Sequence, residues 1–130
     1  MSVAWERTHR RYELGNAVLA EVVATGSVPQ ARLGEIEEVF GDFGTFLQDV
    51  RRRWGHVFDT RLDALLAERP ADLDRAVRDL RREVDREQPA FRALLDEYAD
   101  HPALVMADAH HRRVLRAVTG VDLFVRLRTA

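Results

Sequence analysis

From Phe43 to Tyr98 the apolar residues keep the step of a helix seam, and that pattern narrows the fold more than anything else in the chain. Phe43, Leu47, Val50, Trp54, Val57, Arg61 and Leu65 lie alternately four and three residues apart, with one final step of four. Leu73, Val77, Leu80, Val84, Glu87, Phe91, Leu94 and Tyr98 continue the same alternation after "ERPAD". A 4-3 spacing returns to one side of an α-helix every two turns, so each run reads as a long helix with one face committed to a partner. Phe46, Phe58 and Leu62 widen the first stripe into a globular core face. Pro70 blocks continuation and Asp72 can cap a second helix, which predicts an antiparallel hairpin of 43–69 and 72–99. The second seam stays in phase across Pro89, so 72–99 is expected to be one helix kinked there, with a break at Gln88 as the alternative because pre-proline residues avoid the α region. On that reading Pro89→Ala should leave the fold intact and raise the melting temperature.

The rest of the chain is helical in pattern too. Ser2 can cap a first helix to about Thr25, with Trp5, Tyr12, Leu19, Val22 and Val23 as its core face and Gly26 as its stop. "SVPQ" has capping-box spacing between Ser27 and Gln30, and a short helix then runs to Phe40. "ADHP" starts a last helix that Gly120 ends at Thr119. The tail 121–130 fits either a short helix or an extended segment. The expectation is a single all-α domain over 1–130, an antiparallel bundle of four to five helices on the long hairpin.

Composition removes several function classes. With no cysteine among 130 residues, a disulfide framework, a Cys-based zinc site and a thiol nucleophile are excluded. The only serines are Ser2 and Ser27, both at helix starts, so no Ser–His–Asp arrangement suggests itself. Every basic residue is arginine, isoleucine occurs once, and Ala, Val, Leu and Asp are abundant, as codon bias in a high-GC bacterial genome produces. The net charge of −2 lacks the basic excess of a duplex-binding protein, and the runs "RRR" (51–53), "RR" (81–82) and "HHRR" (110–113) alternate with acids, as a solvated, salt-bridged surface does. Nucleic acid is therefore not an expected partner. No apolar run reaches the ~18 residues of a membrane span, and the charged start "MSVAWERTHRRYEL" is unlike a signal peptide, so the cytoplasm is the expected compartment.

The polar residues that fall on apolar faces are the candidate site. In "ADAHHRRVL" a helical projection puts His111 amid Leu104, Ala107, Val114 and Val118, with Asp108 at the edge and His110 to one side. Asp108 and His111, three apart, can hydrogen-bond each other. His9, Tyr12 and Asn16 border the face of the first helix. If that helix meets the last one, the five converge in a pocket between helices. Arg61 interrupts the seam of the long helix, either as an ion pair to Glu83 or as an anion anchor. His56 and Asp59 point away from Trp54 and are expected in solvent. At most two helices then supply ligands, so neither a metal nor another cofactor is expected. The leading functional reading is a non-enzymatic bundle acting through protein contacts, as a homodimer or with a protein partner. Its alternative is a small-molecule-binding bundle, possibly an enzyme, using His9, Tyr12, Asn16, Arg61, Asp108 and His111.

Overall fold

A computed structural model describes residues 2–121, and these form six α-helices and one turn of 3-10 helix. Helix α1 spans Val3–Thr25, α2 Leu33–Phe40, α3 Phe43–Ala67, α4 Leu73–Glu87, α5 Pro89–Glu97 and α6 Pro102–Thr119. No strand occurs among the described residues. The tail from 122 onward lies outside them.

Local chemistry sets the ends. The Ser2, Asp42 and Asp72 side chains accept the Trp5, Thr45 and Arg75 amides at the starts of α1, α3 and α4. The His101 ring does the same for Ala103 at α6. Gly26 and Gly120, both left-handed, close α1 and α6. The Ser27 capping box does not form. Pro29 occupies the cap of the 3-10 turn Gln30–Arg32 without a side-chain bond, and the rigid ring leaves Ser27 short of that position.

The hairpin of α3 and α4 is as expected, but the predicted second arm is two helices. Gln88 adopts φ −122° and ψ 63°, outside the helical region, and α5 begins with Pro89 at its first position. The proline restricts its predecessor, and the chain turns there instead of merely kinking. That turn changes which partners the two segments reach. α4 packs on α3, whereas α5 packs on α1 as well as α3. The sequence expectation for Pro89→Ala therefore reverses sign. A proline already suited to a helix start restricts the unfolded chain, so its removal is expected to cost about 0.4–1 kcal/mol. A rise in the urea midpoint would instead favour the continuous helix.

Two apolar clusters result. One joins Leu14, Val18, Leu19 and Val22 of α1 to Ile36 and Phe40 of α2, Phe46, Leu47 and Val50 of α3, Leu94 and Leu104. The other joins Trp54, Phe58 and Leu62 of α3 to Val77, Leu80 and Val84 of α4, Leu115 of α6 and Val121. Phe91 and Leu95 of α5 pack against both.

The outer helices are rotated from expectation. On α1 the buried line is Leu14, Gly15, Val18, Leu19 and Val22, while Trp5, Tyr12 and Val23 are exposed. Gly15 explains part of this. A Cβ there would come within 2.9–3.1 Å of the Arg53 guanidinium, so the small residue leaves room for a side chain reaching over from α3. On α6, Leu104 and Leu115 are buried, whereas Val114 is 44% and Val118 64% exposed.

Candidate functional site

The site forms where α3, α4, α5 and α6 meet, and its centre is a residue that the sequence pattern assigns to the surface. Arg51 is only 7% exposed. It belongs to a second stripe on α3, Arg51, Gly55, Phe58 and Leu62, all buried and again spaced four, three and four. That stripe receives α6. Gly55 makes room for the guanidinium, since a Cβ there would sit 3.2 Å from Arg51 Nη1.

Arg51 binds both expected α6 residues. Its Nε donates to Asp108 Oδ1 at 2.7 Å, and its Nη2 lies 2.7 Å from His111 Nδ1. Asp108 and His111 are thus joined through an arginine of the neighbouring helix. His111 Nε2 lies 3.1 Å from Asp59 Oδ1. Asp59 is exposed, as expected, and yet it completes the chain of contacts. An arginine can only donate, so Nδ1 accepts and the imidazole carries its proton on Nε2, facing Asp59. The ring stands edge-on to Trp54 and Phe58, at 6.1 and 5.9 Å between centroids.

This environment holds His111 neutral. Burial and the charge of Arg51 push its pKa below the ordinary 6.5, against the opposing pull of Asp59. The unfolded chain then binds a proton that the folded chain resists. His111 stabilises the fold above about 6.5, and that stability is lost as pH falls from there through the lowered folded value. The two adjacent histidines are consequently unequal. His111→Ala is expected to cost about 1–3 kcal/mol and to flatten the acid limb of stability against pH. His110→Ala, at an exposed position, should change stability by less than about 0.5 kcal/mol. Denaturant melts of both variants at several pH values check this, and equal tolerance would contradict the packing of α6.

A second cation cluster shares the same indole. The Arg51 and Arg81 guanidiniums lie 4.7 and 5.0 Å from the Trp54 ring centre. Asp85, itself nearly buried, accepts from Trp54 Nε1 at 3.1 Å, Arg81 Nε at 3.2 Å and Arg92 Nη1 at 2.7 Å. Burial pushes Arg81 below its ordinary pKa, while Asp85 opposes the shift and the neighbouring arginines add to it. Arg92 also donates through Nε to Asp96 at 2.5 Å. These groups line a cleft of about 180 Å³, with Leu95, Ala99 and Leu104 as its apolar wall and Asp108 on the α6 side.

The other four candidates lie elsewhere. His9 pairs with Glu13 at 2.9 Å and stacks on Trp5. Tyr12 lies beneath Arg53, 4.8 Å from its guanidinium, and Asn16 Oδ1 accepts from Arg53 Nη1 at 3.1 Å. The cleft at Asp108 has no lining residue from α1, so the pocket expected between the first and last helices does not form. The rotation of α1 and its packing on α2 and α5 are the reason. Arg61 bridges Glu83, at 3.1 Å, and Glu87, which is the ion pair expected of a seam arginine. Among the described residues, no three His, Asp or Glu side chains gather to hold a metal ion.

The fold and site define an all-α helical bundle with a buried arginine–indole–carboxylate network. No described helix is long and apolar enough to cross a membrane. Comparison with protein-family models, curated proteins and solved structures finds no match.

Proposed function

We propose that the protein is a non-enzymatic bundle acting through protein contacts, and that it pairs with a second copy along the outer face of α1. The observation that carries this is a third 4-3 stripe. Trp5, His9, Tyr12 and Asn16, spaced four, three and four, share one side of α1 and are all exposed; Leu19 continues the stripe into the core, and Val23 is exposed beyond it. Residues 3–10, the first two turns, are exposed on all sides. Solvent-facing aromatics at seam spacing are what an interhelical contact uses.

Charge favours an antiparallel pair of identical chains. Arg7, Arg10 and Arg11 outnumber Glu6 and Glu13 in the first half of α1. Glu21 is the only charged residue from position 14 to its end, and α2 adds Glu35, Glu37 and Glu38, with Arg32 bound to Glu21 and Glu35. A two-fold arrangement lays each basic half beside the partner's acidic end. The cysteine-free composition supports the cytoplasm as its compartment.

Sedimentation velocity over a range of concentrations tests the proposal. The native chain is expected to sediment as a dimer, and Trp5→Glu with Tyr12→Glu as a monomer of unchanged helicity. A native monomer throughout would end the self-association reading. A dimer indifferent to the double substitution would remove α1 as its seam.

A further inference from the structure

We infer that the cleft between α3, α4, α5 and α6 is a binding site for a small zwitterion, an α-amino acid or a molecule built like one. The inference stands apart from the pairing of α1, which lies on a different face.

The cleft combines arginines and aspartates, paired with one another, with an apolar lining, and two of their polar atoms remain available to a ligand. On one side Arg92, about half exposed, uses Nε and Nη1 for Asp96 and Asp85, and its Nη2 has no hydrogen-bond partner among the described residues. Arg81 stands beside it over the indole. On the other side Asp108 gives Oδ1 to Arg51, while Oδ2 has no partner among the described residues. Its side chain is 39% exposed. Trp54, Leu95 and Leu104 line the same cleft.

These groups dictate the chemistry of a matching ligand. A carboxylate meets the guanidinium end, where Arg92 supplies the donor. An ammonium meets the Asp108 oxygen. A short apolar body covers the indole and leucines. A ligand with either charge alone leaves Arg92 Nη2 or Asp108 Oδ2 desolvated without a hydrogen-bond partner, so both groups are required together. The volume suits this class. About 180 Å³ equals the liquid share of roughly six waters and falls below the ~300 Å³ at which drug-sized pockets begin.

The site is also built in advance. Arg51 fixes Asp108, Asp85 fixes Arg81 and Arg92, and the indole is anchored by its own hydrogen bond to Asp85. Little ordering is left for the ligand to impose.

Isothermal calorimetry of the full chain with each standard L-α-amino acid at millimolar concentration tests the assignment, with the Trp54 indole N–H resonance as a local reporter. At least one amino acid should bind saturably and shift that resonance. For an aliphatic binder such as leucine, 4-methylpentanoate lacks the ammonium and 3-methylbutylamine lacks the carboxylate. Each should bind about tenfold more weakly or worse. Arg92→Gln and Asp108→Asn should each lower affinity by a similar factor, and Arg92→Gln, at an exposed position, keeps the test valid if Asp108→Asn unfolds. Absence of binding by every amino acid overturns the inference. Equal binding of 4-methylpentanoate and leucine also overturns it, leaving a plain anion site.

Discussion

Val50→Asp is expected to leave the chain unfolded at ambient temperature. Val50 is completely buried on α3, in the cluster it shares with Val18, Phe46, Leu47 and Leu94. Removing the valine forfeits about 1.5–3 kcal/mol of apolar burial. A carboxylate placed there has no cation within the cluster, and burying it uncompensated costs several kcal/mol more, either as desolvation or as forced protonation. Together these approach the ~5–15 kcal/mol that holds a domain folded. Gln48→Asp, on the exposed side of the same helix, is the control and should shift stability by only about 0.5 kcal/mol. Far-ultraviolet dichroism and urea titration distinguish the two. A Val50→Asp chain melting cooperatively near the native midpoint would mean that the seam of α3 faces elsewhere.

Arg51→Ala should be the most damaging loss among the charged residues. The side chain is buried, holds Asp108 and His111 of α6, and covers the Trp54 indole. Its removal separates α3 from α6 in three ways at once. A carboxylate loses its cation, an imidazole loses its donor, and the stem leaves a void beside Gly55. Breaking a fully buried pair costs about 3–5 kcal/mol, and the partial exposure of Asp108 reduces the expected loss to about 2–4 kcal/mol. Arg52→Ala, next in the chain but exposed, should cost less than about 0.5 kcal/mol. A double-mutant cycle of Arg51→Ala with Asp108→Asn should show a coupling of about 1–3 kcal/mol. Additive effects would mean that Arg51 matters for its packing alone.

The contrast between Arg51 and Arg52 explains what the sequence could and could not convey. The seams of α3 and α4 were legible because apolar side chains at helical spacing have one physical use. The Arg61 pair was legible for the same reason, since a charge in a seam needs a counter-charge opposite. His111 was legible as inward-facing and Asp108 as lying at the edge of that face. Arg51 was hidden inside "RRR", where composition suggests solvent. Its signal was the stripe Arg51, Gly55, Phe58 and Leu62, in which a glycine and an arginine stand where apolar residues would normally announce a face. Asp59 was missed because its partner comes from a helix fifty residues away. On α1 the large aromatics Trp5 and Tyr12 drew the predicted core toward themselves. The actual core side keeps the expected Leu19 and Val22 but continues through Val18, Gly15 and Leu14, where the glycine permits close approach and gives no hydrophobic signal.

The break at Gln88 has a consequence for how the molecule comes apart. α4 belongs to one apolar cluster, α5 and Leu94 lean on the other, and α3 runs unbroken through both. Phe91 and Leu95 touch both clusters, so loosening either one removes packing from the same two side chains. The energetic communication between the halves is therefore carried by two continuous helices, α3 and α6 (through Leu104 and Leu115), and one turn of α5. Amide exchange would register this as a shared opening of α3, α5 and α6, with α1 and α4 each free to open locally at lower cost.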